Sequence, residues 1–169
     1  FQNNPSILED FTNYVGRKAS QGNTSHLIDA YCGSGLFSLT SAHLFESVIG
    51  IEVSELSVQY ANQNASANGI ENASFVLGDA ASLFDLIDIA GAHSAVVIDP
   101  PRKGASEEFL HQLIAFGPAR VVYVSCNPAT QMRDLKTLTR EDYSIEEIQP
   151  FDLFPQTKHL ECVITLTRN

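Results

Sequence analysis

Tryptophan is absent from this 169-residue chain, methionine occurs once, and there are 3 cysteines. Cys32, Cys126 and Cys162 lie far apart and form no C-x-x-C pair, so nothing signals a zinc site or a disulfide framework. Such thiols point to a reducing, intracellular setting. Positive charge is scarce: 10 Lys and Arg against 20 Asp and Glu leave a net charge of −10. A self-sufficient nucleic-acid binder carries a basic face, so the acidity argues against a polyanionic partner unless other sequence supplies the grip. No run approaches the ~18 consecutive apolar residues that a membrane helix needs. The start, Phe1-Gln2-Asn3-Asn4-Pro5, has no basic region followed by an apolar run. No membrane partner and no metal are expected. Phe1 stands where an initiator Met would, and a piece of a longer protein is expected.

What is present is a folding core, with 44% hydrophobic residues and alternating strand and helix patterns. Pro5 or Ser6 opens a helix to about Ala19, with Ser6 and Glu9 spaced as a capping box. Strands are expected at 26–31, 48–52, 73–77, 94–99 and 121–126. Helices are expected at 36–45, 55–68 (capped by Ser54 and closed by Gly69), 80–90, from Ser106 onward, and 129–138. Five strand–helix alternations predict a doubly wound α/β fold with a mostly parallel sheet. Residues 143–148 and 159–167 are two further strands with no helix between them, which predicts an antiparallel C-terminal strand pair at one edge. No repeat or linker divides the chain, so residues 1–169 are expected to form a single domain.

The strand ends carry the chemistry-bearing residues. Asp29-Ala30-Tyr31-Cys32-Gly33-Ser34-Gly35 lies between a strand and a helix, where Gly33 and Gly35 let backbone approach a ligand. A dinucleotide fingerprint fails there, because Ser38 occupies the place of the third glycine. Glu52 ends the second strand and suits ribose hydroxyls, with a solvated strand-end carboxylate as the alternative. Asp79 ends the third strand within reach of an adenine edge, with a solvated loop Asp as the alternative. Without a phosphate cradle, a nucleoside lacking phosphates fits better, and S-adenosylmethionine is the common one. Asp99-Pro100-Pro101-Arg102 holds a carboxylate in a proline-stiffened loop. Val121-Val122-Tyr123-Val124-Ser125-Cys126-Asn127-Pro128 reads as a central strand that delivers a thiol to the carboxyl edge of the sheet. A thiolate there could add to an electrophilic carbon, and the N-terminus of the following helix would lower its pKa; a small buried hydrophobe is the alternative. Glu161, with His159 on the same strand face, is a candidate general base, against the plainer reading of a solvated edge carboxylate.

Taken together and in order, Asp29-Ala-Tyr-Cys-Gly-Ser-Gly, Asp99-Pro-Pro-Arg, Ser125-Cys-Asn-Pro and Phe154-Pro-Gln-Thr-x-His-x-Glu161 resemble the RNA (uracil-5-)-methyltransferases of the TrmA/RumA type. The nearest wording is that of fungal tRNA members, and Phe1-Gln2-x-Asn4 resembles the family's F-Q-x-N segment. The resemblance spans essentially the whole chain. It implies a class I S-adenosylmethionine-dependent methyltransferase catalytic domain of Rossmann-like fold, acting on carbon 5 of a uridine in tRNA, with the T-loop uridine as target. It implies Cys126 as nucleophile, Glu161 as proton acceptor, and Gln2, Tyr31, Glu52 and Asp99 as cofactor contacts. Leu36 stands where bacterial relatives carry Asn, which removes one side-chain hydrogen bond to the cofactor. Relatives also carry additional N-terminal sequence for RNA, so this chain is expected to bind the cofactor but to hold tRNA poorly unaided. Methylation of cytosine carbon 5 and a catalytically silent RNA-binding module are the competing readings. Exocyclic-amine methylation is disfavoured because Arg102 follows the two prolines.

Overall fold

The computed structural model describes residues 5–85, 87–140, 142–157 and 160–169. Helix α1 (Pro5–Ala19) leads into strand β1 (His26–Asp29), helix α2 (Leu36–Ser41), β2 (Ser47–Glu52), α3 (Glu55–Ala67), β3 (Ala73–Leu77) and β4 (Ser94–Ile98). Helix α4 (Glu107–Phe116), β5 (Arg120–Ser125), α5 (Pro128–Arg140), β6 (Tyr143–Phe151) and β7 (Glu161–Arg168) follow. The seven strands form one sheet in the order β3-β2-β1-β4-β5-β7-β6. The first five run parallel, and β7 enters antiparallel between β5 and β6. The expected α/β class and antiparallel C-terminal pair are therefore observed.

Strand alternation builds two cores, one on each face of the sheet. Ile28, Val96, Ile98, Val121, Tyr123, Ile164 and Leu166 face α4 and α5 through Phe109, Leu110, Leu113, Leu135 and Leu138. Leu27, Ala95, Val97, Val122, Val124 and Val163 face α1 and α2 through Phe11, Val15 and Phe37. Each fully buried aliphatic or aromatic side chain contributes roughly 1.5–3 kcal/mol of transfer free energy. The central strands are apolar on both faces, as a parallel sheet covered on both sides requires.

Local signals account for most element ends. Ser54 Oγ accepts the Ser57 N–H at 3.3 Å, and Ser106 Oγ accepts the Phe109 N–H at 3.2 Å, so both helices have side-chain caps. Gly117 closes α4 in the left-handed conformation at φ 66°. Helix α1 already includes Ser6, so the Ser6/Glu9 pair sits inside its first turn; the residue preceding the helix is outside the described residues. Arg120, the first residue of β5, is buried and ties α1 to β6. It donates to the Lys18 carbonyl at 2.8 Å, to Gln21 at 3.1 Å, and to both oxygens of Glu146 at 2.9 and 2.8 Å.

The expected helix over 80–90 is not formed. A short 3-10 turn covers Ala80–Asp85, and 87–90 are irregular. Phe84 stacks on Phe116 at 4.6 Å and on Phe109 at 6.0 Å, so packing against α4 governs the segment rather than its own apolar run. The first expected strand stops at Asp29, and β5 stops at Ser125 with Cys126 just beyond it.

Gly50, in the middle of β2, lies where a Cβ would come within 2.7 Å of the Phe75 ring and 2.8 Å of Cys32 Sγ. Gly50→Ala is expected to lower stability by about 1–3 kcal/mol through overpacking. Urea unfolding should show a lower midpoint at unchanged slope.

Candidate active site

The strand order reverses between β1 and β4, and the carboxyl ends of the parallel strands open onto a cavity of about 580 Å³. Tyr31, Glu52, Asp79 and Asp99, each just after or at the end of a different strand, line it together. Val53, Gly78, Lys103, Gly104, Ser106 and Glu108 complete much of the wall. The sequence also expected Gly33, Gly35 and Gln2 here. Gly33 serves from behind, donating its N–H to Glu52 Oε2 at 3.1 Å. Ser54 N–H donates to the other oxygen at 2.9 Å, so each oxygen of the Glu52 carboxylate is held by a backbone N–H. Gly35 does not line the cavity. It borders a shallower hollow of about 390 Å³ with Leu36, Leu39, Asn64 and Ile70. Gln2 and His159 lie outside the described residues.

Ser38, which breaks the dinucleotide pattern, has a structural role. Its N–H and hydroxyl both donate to Asp29 Oδ2, at 3.0 and 2.7 Å. One N–H of the first turn of α2 is thereby taken by the chain's own carboxylate, which disfavours a ligand phosphate there. Four carboxyl residues line the cavity (Glu52, Asp79, Asp99 and Glu108), against one cation, Lys103. This lining suits a ligand that presents hydroxyls and positive charge, and it disfavours a polyphosphate.

Burial governs the acid groups behind the cavity. The fully buried Asp29 carboxyl is pushed from the ordinary 3.8 up to about 6 by desolvation, against the two Ser38 hydrogen bonds. Desolvation, then the charges of Glu161 and Asp29, raises Asp99 to about 8. Glu161 is buried and also raised, first by desolvation, with Arg102 opposing. Tyr31 packs edge-on to Phe109 at 5.5 Å. Its phenol is pushed up to about 12 by burial and by the Asp79 and Asp134 charges, so it stays neutral.

Cys126, just after β5, and Glu161, at the start of β7, sit one and two strands over from the β4 end that lines the cavity. The β5–β7 ladder ends with Ser125 opposite Cys162, and Cys126 and Glu161 are the next residues along the two chains, at the same end of the ladder. Cys126 is half-buried, whereas Cys32 is buried and its thiol is pushed up by desolvation and by Asp29 and Glu52. Of these two thiols, Cys126 is the accessible one. A thiol and a carboxyl of raised pKa at one sheet edge can pair nucleophilic addition with proton removal.

A scaffold that sequence reasoning missed joins these parts. Asp134, buried on α5, accepts the Tyr123 hydroxyl at 2.6 Å, the Ala105 N–H at 2.8 Å and Arg133 Nε at 2.8 Å. Asn127 and Thr130 donate to the Arg102 carbonyl at 2.9 and 3.1 Å. Gln131 donates to the Tyr123 and Cys162 carbonyls, both at 3.0 Å, linking β5 to β7. Gly104 has φ 81°, and a Cβ there would lie 2.6 Å from Asp134 Oδ2. The available signal was two polar residues, Gln131 and Asp134, on the same stripe as Leu135 and Leu138.

A family model described as tRNA (Uracil-5-)-methyltransferase matches residues 1–169. The chain is 48% identical over 180 residues to the tRNA (uracil(54)-C(5))-methyltransferase of Schizosaccharomyces pombe, covering 99% of this chain and 34% of that protein. It is 46% identical to the Saccharomyces cerevisiae protein of the same name, covering 99% of this chain and 28% of that one. The chain thus spans about a third of the length of these curated relatives. The crystal structure of the Pyrococcus abyssi tRNA (uracil-54, C5)-methyltransferase in complex with S-adenosyl-L-homocysteine superposes with a TM-score of 0.83 at 29% identity, covering 99% of this chain and 40% of that one. A precorrin-6y C5,15-methyltransferase from Geobacter metallireducens shares the fold at TM-score 0.77 and 14% identity, covering 95% of this chain and 88% of that chain.

The raised Asp99 carboxyl gives a pH test. Between the ordinary 3.8 and about 8, the folded state keeps a proton that the unfolded chain has released, so stability falls as pH rises through this window. Asp99→Asn should flatten the decline above the Asp29 midpoint of about 6 and make the protein more stable than wild type at pH 8. Denaturant melts at several pH values would read this directly; equal slopes for both proteins would exclude Asp99 as the source.

Proposed function

The chain belongs to the tRNA (uracil-5-)-methyltransferase family, and from that premise we propose that residues 1–169 form one catalytic domain that methylates carbon 5 of a tRNA uridine. The relatives' names point to uridine 54, the T-loop position. The observation that supports the reading is the β5–β7 register, which ends with Ser125 opposite Cys162 and leaves Cys126 and Glu161 as the next residues at the edge where the acidic cavity opens. S-adenosylmethionine fits that cavity. Glu52, held by two backbone N–H groups, suits the ribose hydroxyls, Asp79 suits the adenine edge, and the acidic lining suits a sulfonium. Gln2 is a proposed contact from sequence only. When bound, the cofactor supplies an electrophilic methyl group on a positively charged sulfur. The 3 free thiols suit a reducing, intracellular compartment.

The chain's own residues then divide the work. Carbon 5 of uracil is a poor nucleophile until a thiolate adds to carbon 6. Cys126 forms that carbon–sulfur bond, and the electron pair of the 5,6 double bond moves to carbon 5 and its conjugated carbonyl. After methyl transfer, carbon 5 holds both the methyl and its original proton. Glu161 takes that proton, the 5,6 double bond re-forms, and the Cys126 thiolate leaves. A carboxyl raised by burial is the better proton acceptor. The target base must leave its stack to reach a thiol at the sheet edge. Arg102, exposed beside this edge, follows Asp99 in a loop that α5 holds in place.

Full-length protein incubated with S-adenosylmethionine and 5-fluorouridine-substituted tRNA should form a denaturation-resistant adduct, because after methyl transfer the fluorine on carbon 5 cannot be removed as a proton. Cys126→Ala should form none, and an adduct with that variant would displace Cys126 as nucleophile. With ordinary tRNA, Glu161→Gln should slow turnover by about 10²–10⁴-fold and accumulate the methylated, Cys126-linked intermediate. A wild-type protein that binds S-adenosylhomocysteine by calorimetry yet forms no adduct would favour the silent-module reading.

A further inference from the structure

The chain is acidic, yet its cations are not evenly spread. Arg102, Lys103, Arg133, Lys136 and Arg140 make up five of its 10 Lys and Arg, and all are exposed on one surface. The surface starts at the loop beside Cys126 and continues along the outer face of α5. Arg133 joins its two parts by donating to the Lys103 carbonyl at 3.0 Å. Arg133, Lys136 and Arg140 follow a three- and four-residue spacing, so they share one face of the helix. The one acidic residue of α5, Asp134, is buried and points the other way, so no carboxylate of the helix interrupts that face.

Among the described cations elsewhere, Arg17 is exposed over the Tyr14 ring and the other three are in ion pairs. Lys18 pairs with Glu146 and Glu147, Arg120 with Glu146, and Arg168 with Asp142. Arg133 is partly engaged by Asp134. Among the described residues, Arg102, Lys103, Lys136 and Arg140 have no carboxylate within ion-pair distance. Like charges at helical spacing repel, and Arg140 alone is accounted for by its place at the C-terminal end of the helix dipole. Helix α5 begins two residues after Cys126, so Arg140 lies up to ~20 Å along the helix from the thiol end at ~1.5 Å per residue.

We propose that the outer face of α5, through Lys136 and Arg140 with Lys103 at its head, is a contact surface for the RNA backbone that flanks the target base. The inference rests on the methyltransferase reading and adds the path that the substrate takes over this domain. It is compatible with the expectation that the chain holds tRNA poorly unaided, and adds that the net charge of −10 conceals a local positive track. Phosphate contacts of this kind position the substrate without reading its sequence. They also release counterions, so their loss is visible in salt dependence.

The test uses full-length protein and an unmodified tRNA transcript, with the dissociation constant measured by filter retention from about 50 to 200 mM salt. Lys136→Ala/Arg140→Ala should weaken binding by about tenfold or more at the lower salt and reduce the log–log salt slope by about 1 per cation removed. Its affinity for S-adenosylhomocysteine should match wild type. Lys136→Arg/Arg140→Lys, which keeps both charges, should restore the slope. A wild-type slope and affinity in the alanine variant would overturn the proposal and leave the methyltransferase reading standing. A parallel loss of S-adenosylhomocysteine affinity would also overturn it, since the residues would then support the fold rather than the RNA. Wild-type protein that neither binds nor methylates the transcript would overturn both.

Discussion

The carboxylate of Asp134 is the interaction on which the site depends. It is buried, and three donors from three different segments converge on it: a phenol from β5, a backbone N–H from the loop after the two prolines, and the neighbouring Arg133 on α5. A buried charge left unpaired would be costly, so the three donors and the carboxylate hold one another in place. Tyr123 lies three residues before Cys126, and Ala105 lies six residues after Asp99. One side chain thus fixes the separation between the strand end that carries the thiol and the loop that carries the cavity's most perturbed acid. Gly104 makes the approach possible: its left-handed φ and missing side chain leave room for the carboxylate.

Charge is arranged in opposite senses on the two sides of that anchor. Toward the cavity, carboxyl residues dominate, and burial keeps Asp99 and Asp29 raised so that they do not repel one another at full strength. Toward solvent, the loop and α5 present cations. Lys103, exposed in the loop and also bordering the cavity, stands where the two senses of charge meet. Net charge, a sum over the whole chain, hides this division, and it is why composition alone argued against RNA.

Much of the architecture is written locally and could be read locally. A serine before an amphipathic stretch, a glycine after one, and a valine run cut off by Asn-Pro each act within a few residues, and Ser54, Gly69, Ser106 and Pro128 all mark element ends as read. That Glu52 and Asp79 line the cavity was legible for a similar reason: one ends a strand and the other lies two residues beyond one. Features decided by distant contacts were not legible. The segment after Ala80 has an apolar run that suits a helix, but Phe84 is claimed by Phe109 and Phe116. Gln131 and Asp134 read as ordinary helix polars until the strands they bridge are placed. The pairing of the last two strands was evident, but not that the later one lies inside and the earlier one at the rim.

That strand order has a chemical consequence. In a wholly parallel sheet, every strand starts at the edge opposite the one where ligands bind. A carboxylate on the first residue of such a strand would lie a strand length away from the thiol, roughly 20 Å at ~3.3 Å per residue. Because β7 runs antiparallel to β5, its first residue, Glu161, lies at the edge where β5 ends. Placing β7 inside β6 also buries that residue beside Asp99 rather than leaving it on a solvated rim, and burial is the first cause of its raised pKa. Gln131, bonded to the carbonyls of Tyr123 and Cys162, holds the two strand ends in register at this point. One reversal of strand direction thus supplies both the position of the proposed base and the environment that tunes it.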